Sequence, residues 1–328
     1  MYYYETHCTD PCFNLSFEEY LLENKREGDI LMLWQNANTV VVGLNQNTAQ
    51  EINSAFVQEH GITVVRRSTG GGAVYHDMGN LNYSFITDLA DAENMSIARF
   101  SKPVCDALAE LGVNAEVSGR NDILVNGKKV SGVAQRIYKG RILHHGTLLF
   151  KTDPAMLSGA LNVDPTKFSS KSSKSVRTRV GNIKDYLSDD MSMAEFWTLL
   201  RVKLCGDDAC ACTLTDDELA EVSRNAEEKY RSWDWNYGRS PSFNYCNSSR
   251  FPGGLMEVKL MVETGVITAV SFSGDFMAVT DCSAAVNALT GARYIRADVS
   301  AKLRTLDIAP MFGNISEQEL LSLIFCER

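Results

Sequence analysis

The chain has no apolar run near the ~20 residues that a membrane-spanning helix needs. Its richest apolar stretches, Ile30–Trp34 and Thr39–Val42, have the length of strands. Its N-terminus, Met1-Tyr2-Tyr3-Tyr4-Glu5, has neither a basic region nor a long apolar segment, so it does not read as a signal peptide, and it is not Arg-rich like a transit peptide. Positive charge is not in excess. Thirty-two Lys and Arg against 41 Asp and Glu leave a net charge of −9, which argues against non-specific nucleic-acid binding and leaves room for a local basic site. Nine cysteines are an odd number, which excludes a complete intramolecular disulfide framework. The close pairs Cys8/Cys12 and Cys210/Cys212 lack a further pair at zinc spacing, and the five histidines are not at zinc-finger offsets. Reduced, mostly buried thiols in a cytoplasmic protein are the expectation.

What is present is ordinary in bulk. With 328 residues, 45% hydrophobic and 22% charged, the composition is that of a globular protein of about two domains, not of a disordered chain, a collagen or a coiled coil. Asn14–Asn24 has apolar residues at helical spacing behind a cap-type Asn, and Asn53–His60 and Ile97–Leu111 also read as helices. Ile30–Trp34, Thr39–Val42, Thr63–Val65, Leu81–Ile86 and Gly146–Phe150 read as strands. Asp122–Val125 and Lys129–Val133 flank Asn126-Gly127, a strong hairpin signal. Many strands and few helices, without strict β-α-β alternation, predict an α+β domain on a mixed sheet. Helical patterns follow at Met193–Cys205 and Asp216–Tyr230. After the aromatic cluster Trp233–Gly238, Phe251-Pro252-Gly253-Gly254 reads as a linker. A hairpin, Leu255–Val262 with Val266–Phe272, and helices near Ser283–Leu289 and Glu317–Phe325 then predict a smaller α/β unit. The expected domains are 1–248 and 249–328.

The chemistry concentrates in four places. Arg66 to Asn80, R-R-S-T-G-G-G-A-V-Y-H-D-M-G-N, runs from a strand through two arginines into three glycines. Glycines let a backbone approach a ligand closely, successive N–H groups form anion nests, and guanidiniums suit phosphate or carboxylate. No Gly-Lys-Ser/Thr follows, so it is not a P-loop, and it is not a Gly-x-Gly-x-x-Gly fingerprint. On the hairpin, Asp122 opens one strand and Lys129 lies on the other. A lysine can bridge two anions and a nearby carboxylate can orient it or hold Mg²⁺, although solvated surface lysines would look the same. His144 and His145 are adjacent on a strand and so point to opposite faces, one towards a pocket. Lys167 to Arg179 carries five cations and no anion among serines, the composition of a loop that could close over a polyphosphate or of a disordered linker.

These segments, in order, resemble the bacterial-type lipoate–protein ligases. The matching stretches are Leu33-Trp34-Gln35-Asn36, Val42-Gly43-Leu44-Asn45-Gln46-Asn47, Arg66–Asn80, Ser118–Asp122, Lys129-Val130-Ser131-Gly132, His144–Leu148, Ser175–Val180, Trp233–Gly238 and Ser240–Phe243. The resemblance implies a biotin/lipoate ligase-like catalytic domain on a mixed sheet with a smaller C-terminal α/β accessory domain. It implies a two-step ATP- and Mg²⁺-dependent reaction: lipoate and ATP give lipoyl-AMP and pyrophosphate, then the lipoyl group passes to a lysine of an acceptor domain. By correspondence, Lys129 is the catalytic lysine between the lipoate carboxylate and the α-phosphate. Arg67, Gly72, Ala73, Val74, Tyr75, Asn121 and Asp122 are the ATP-binding residues, with Asp122 the Mg²⁺ candidate. Ser68, Gly71, His145, Gly146 and Thr147 face lipoate, and Val42, Val74 and Leu148 are candidates for its apolar slot. Lys174, Ser175, Val176, Arg177 and Arg179 belong to the adenylate-binding loop. The implied acceptors are lipoyl domains of 2-oxoacid dehydrogenase E2 subunits or the glycine-cleavage H protein, and the acyl substrate is lipoate or octanoate. A monomer with no nucleic-acid or membrane partner is expected. Ser172, Ser173, Gly181 and Thr69 depart from the family pattern.

Three related activities remain as alternatives. A thiol-dependent octanoyl or lipoyl transferase needs a cysteine nucleophile beside the acyl pocket, and Ile123 to Leu204 contains none. A lipoyl transferase fed with pre-formed lipoyl-AMP would keep the same segments. A biotin ligase would need a Gly-Arg-Gly-Arg-type loop, which is not seen. From another class, a non-catalytic lipoate- or nucleotide-binding protein is disfavoured by the intact Lys129.

Overall fold

The computed structural model describes residues 1–89, 97–118, 122–161, 180–206, 209–240, 242–276, 278 and 280–327. Two compact units emerge, one of residues 1–44 and 62–232, the other of residues 45–61 and 233–328.

In the first unit the strands are β1 (Tyr2–Glu5), β2 (Ile30–Trp34), β3 (Thr39–Val42), β4 (Thr63–Arg66), β5 (Val74–His76), β6 (Asn80–Asp88), β7 (Ala115–Ser118), β8 (Asp122–Val125), β9 (Lys128–Tyr138), β10 (Arg141–Leu149) and β11 (Cys210–Cys212). Eight of them form a mixed sheet in the order β11-β1-β2-β6-β10-β9-β8-β7. The β11/β1 and β1/β2 pairs are parallel and the rest antiparallel. A small second sheet, β4-β3-β5, completes the α+β architecture.

Strand alternation sorts the large sheet into two faces. Leu31, Leu33, Leu81, Tyr83, Phe85, Ile142 and Leu148 pack with helices Ile97–Glu110 and Met193–Cys205 into the main core. The opposite face carries Trp34, Asn82, Ser84, His145 and Thr147, and there the site is built. Both faces of β2 are covered, which is why its five residues are all buried and its sequence is an unbroken apolar run. His144 and His145 divide as alternation requires. His144 stacks on Phe100 at 5.0 Å within the core, and His145 faces the other way.

Helix α1 (Pro11–Asn24) begins earlier than the apolar period suggests. Asp10 is its cap, accepting from the Cys12 N–H at 3.0 Å, and Pro11 takes the first turn. Asn14 is instead a buried staple, donating to Gln35 O at 2.7 Å and Asn36 Oδ1 at 3.0 Å in the β2–β3 turn. The Asn126-Gly127 turn forms as expected, with both residues at positive φ.

The second unit pairs three antiparallel strands, β12 (Phe243–Phe251), β13 (Gly254–Glu263) and β14 (Val266–Gly274). Met256, Val258, Leu260 and Val262 of one face join helices Ser283–Leu289, Arg296–Leu303 and Glu317–Phe325 in a separate core. The expected linker at Phe251–Gly254 is a tight turn between β12 and β13, with Phe251 opposite Gly254. Pro-Gly chemistry serves a hairpin as readily as a connector. Short helices Thr48–Glu51 and Ser54–Glu59 also belong to this unit, anchored by Thr48, whose N–H donates to Ser240 Oγ and whose hydroxyl donates to Asn236 O. Among the described residues no helix is long and apolar enough to cross a membrane.

Candidate active site

Three adjacent strands set the floor of one pocket by register alone. Asn82 of β6 lies between Trp34 of β2 and Thr147 of β10, and Ser84 lies opposite His145. Leu15 from α1, Val41, Arg67, Gly72, Ala73, Val74, His76, Lys129, Gly132, Val133, Ala134 and Gly146 complete a pocket with an empty volume of about 550 Å³ including its open mouth. Its apolar slot comes from Leu15, Val41, Val74 and Val133. Val42 and Leu148 do not line it, because each is one residue out of phase on its strand and fully buried elsewhere.

The glycine loop leaves β4, crosses the end of β3 and returns as β5. Gly43 is what permits that crossing, since a Cβ there would stand 2.1 Å from Gly71 O. The two arginines turn inward. Arg66 Nη1 donates to Gly43 O at 2.9 Å and Leu44 O at 3.0 Å. Arg67 donates from Nη2 to Gly70 O at 2.6 Å and Gly72 O at 2.8 Å, and from Nε to Thr69 Oγ1 at 2.9 Å. Arg67 therefore braces the loop from within the pocket wall. Burial draws its guanidinium down to about 10, against the pull of Glu18, so it stays charged at neutral pH.

Behind the loop runs a buried polar chain. Glu18 accepts from His145 Nδ1 at 2.8 Å, and His145 Nε2 lies in hydrogen-bond contact with Thr69 Oγ1 at 2.9 Å. Ser84 donates to the same carboxylate and receives Trp34 Nε1 at 2.9 Å. Sequence reading missed Glu18. Its one signal is a carboxylate inside a helix with ten of fourteen residues buried, where an acid requires a partner.

Lys129 owes its direction to a β-bulge. Ile123 pairs with Ser131, yet Leu124 pairs with Lys129, so Val130 is an extra residue on β9. Lys129 and Gly132, three apart, consequently share a face, and the ammonium lies over Gly132. There Nζ is 2.7 Å from Asp122 Oδ1. The backbone of Lys129 is also held from its other side, with the Gly181 N–H donating to its carbonyl at 2.9 Å.

The geometry thus gathers Arg67, Gly72, Ala73, Val74, Lys129, His145, Gly146 and Thr147 around one cavity, with Asp122 attached through Lys129. Ser68 is buried, Gly71 sits exposed on the loop, and Tyr75 turns its hydroxyl to Asn38 Oδ1 at 3.0 Å. Asn121, Lys174, Ser175, Val176, Arg177 and Arg179 lie outside the described residues.

Two predictions follow from these contacts. A Cβ at Gly132 would come 2.9 Å from Lys129 Nζ and 3.0 Å from Cε. Gly132→Ala should therefore leave the fold intact, because only a flexible side-chain end must move. Any adenylation that depends on the ammonium should fall by about 10²-fold, the usual cost of an ångström-scale misplacement. An unchanged rate in steady-state exchange would mean that the lysine acts without that seat.

The second concerns acid. Burial above all, then for His76 the Arg67 and His145 charges and for His144 the His145 charge, hold both rings down to about 3. Unfolded, each titrates near ~6.5. Between those values the unfolded chain binds more protons, so this stability is full above about pH 6.5 and is lost as pH falls towards 3. At pH 5 each buried ring costs on the order of 2 kcal/mol. Urea midpoints at pH 7 and 5 should differ less in His144→Gln than in wild type, and equal differences would remove His144 as a source.

The fold has counterparts in known proteins. The profile of the lipoyl protein ligase A/B catalytic domain matches residues 10–204, and that of the bacterial lipoate protein ligase C-terminus matches residues 240–324. The lipoate-protein ligase LplJ of Bacillus subtilis is 43% identical over 321 residues, covering 96% of this chain and 97% of that protein. Among solved structures, the bi-partite lipoate protein ligase of Thermoplasma acidophilum, studied with its E2 lipoyl domain, aligns with a TM-score of 0.61 at 30% identity. That alignment covers 73% of this chain and 95% of the other. A lipoate-protein ligase A bound with ATP aligns with a TM-score of 0.60 at 27% identity, covering 72% and 96%. The chain belongs to the lipoate–protein ligase family and is an enzyme of the ligase class.

Proposed function

We infer that this chain activates lipoate with ATP to lipoyl-AMP and then transfers the lipoyl group to a lysine of an acceptor lipoyl domain. The observation that carries this reading is Lys129, aimed by its bulge into a pocket that is aliphatic on one side and bounded by the glycine loop on the other. A carboxylate is a poor acyl donor because its leaving group is oxide, whereas the mixed anhydride with AMP leaves readily. No enzyme nucleophile is required. Two anions must be held within reach of each other, which is a task of positioning and electrostatic stabilisation.

In this reading the acyl chain lies along Leu15, Val41, Val74 and Val133, and its carboxylate meets Lys129. The Gly72–Tyr75 backbone, shaped by Arg67, borders the nucleotide, and His145, Gly146 and Thr147 border the acyl group. Among the described residues no three His, Cys, Asp or Glu side chains are grouped to hold a metal alone. A single hard carboxylate beside the phosphates suits Mg²⁺, which takes one or two protein oxygens and completes its shell with phosphate and water. Asp122 would hold it, and the ion would offset phosphate charge. Asn121 and the residues from Lys174 to Arg179 are assigned to the adenylate by the motif resemblance. We further propose a cytoplasmic monomer acting on E2 lipoyl domains or the glycine-cleavage H protein; of these, the E2 lipoyl domain is supported by the acceptor studied with the Thermoplasma enzyme.

The test is lipoate-dependent ATP–pyrophosphate exchange without acceptor protein. Exchange with Mg²⁺ present supports the full ligase. Its absence in folded protein, together with transfer from synthetic lipoyl-AMP, would replace this reading with the transferase.

A further inference from the structure

We propose that Cys210 and Cys212 form a two-thiolate binding site for a divalent d¹⁰ cation, Zn²⁺ or Cd²⁺, at the open edge of the large sheet. Residues two apart on a strand share a face, and here the two Sγ atoms lie 3.8 Å apart. Two thiolates on one tetrahedral centre, with metal–sulfur bonds of about 2.3 Å, also stand about 3.8 Å apart. The spacing suits a chelate better than a disulfide. Cα atoms two apart in a strand are separated by roughly 6.4–6.8 Å, the upper end of what a disulfide spans. The parallel register with β1, Cys210 opposite Tyr2 and Cys212 opposite Tyr4, holds them at that separation.

Access is open. β11 pairs with β1 alone at the end of the sheet order, and Cys210 is exposed. No third His, Cys, Asp or Glu is grouped with the pair among the described residues, and the exposed edge leaves room for water or an exogenous ligand to complete the shell. Binding converts two thiols and M²⁺ into a bis-thiolate complex with release of two protons, and no redox partner is involved. This site is separate from the acyl pocket and does not depend on the ligase reading.

Cadmium titration of the reduced chain, followed by the thiolate-to-cadmium charge-transfer band and by native mass spectrometry, tests the proposal. Wild type and Cys246→Ser, which removes an exposed cysteine elsewhere, should bind one cation with equal affinity. Cys210→Ser and Cys212→Ser should each weaken binding by at least about tenfold. Wild-type affinity in the double variant would overturn the site. A second readout needs no variant. Bound cadmium should slow alkylation of Cys210 and Cys212, read peptide by peptide, and alkylation of both at the metal-free rate would also overturn it.

Discussion

Lys129→Ala should lower lipoate-dependent ATP–pyrophosphate exchange by about 10²–10³, the loss of about 3–4 kcal/mol of transition-state stabilisation from one preorganised charge. The ammonium is directed by an extra residue in β9, seated on Gly132 and fastened through its own carbonyl to Gly181, so its place costs no reorganisation at the moment of reaction. Lys129→Arg should recover little, because a planar fork cannot occupy the seat of a compact ammonium. Removing the lysine also takes one ion-pair partner from Asp122, so Lys129→Ala is best read beside Lys129→Ala/Asp122→Asn. If the double variant regains exchange to within tenfold of wild type, the defect of the single variant comes from the Asp122 charge and Lys129 has no direct part in adenylation.

Glu18→Ala should destabilise the first unit by about 3–5 kcal/mol, the range for a buried charge that loses its partner. Glu18 pairs directly with His145, and its charge also favours the cationic form of Arg67, buried in the loop. Without that carboxylate, His145 loses the acceptor at Nδ1, Ser84 loses its own, and the guanidinium loses a favourable charge nearby while keeping its carbonyl and hydroxyl partners. Glu18→Gln keeps an acceptor but not the charge and should fall between the two. Urea unfolding at neutral pH separates the cases. A loss below about 1 kcal/mol in Glu18→Ala would place it among ordinary substitutions and show that the loop carries its arginine unaided.

Much of this was legible from residue order. The strands at Ile30–Trp34 and Thr39–Val42, the Asn-Gly hairpin, the opposed faces of His144 and His145 and the mixed-sheet class follow from period and turn chemistry. Other features have no sequence signature. The bulge at Val130 looks like any strand residue, because an inserted residue shows itself only against the partner strand. Arg66 and Arg67 read as anion binders from arginines beside glycines, and the bonds both also make to nearby carbonyls have no signature in residue order. Val41 and Val42 are indistinguishable in type, and only the register decides which one lines the pocket. Glu18 was hidden for a related reason, since its partner His145 is 127 residues away.

The excursion of residues 45–61 into the second unit has a practical bearing on any attempt to divide the protein. A cut after Ser232 does not yield two self-sufficient halves. The leading fragment would keep the Thr48–Glu51 and Ser54–Glu59 helices without the body they belong to, and Thr48 would lose its bonds to Ser240 and Asn236. The trailing fragment would begin life missing a component. A two-chain version that keeps each unit whole would carry residues 45–61 on the trailing piece and bridge Leu44 to Ile62 in the leading one.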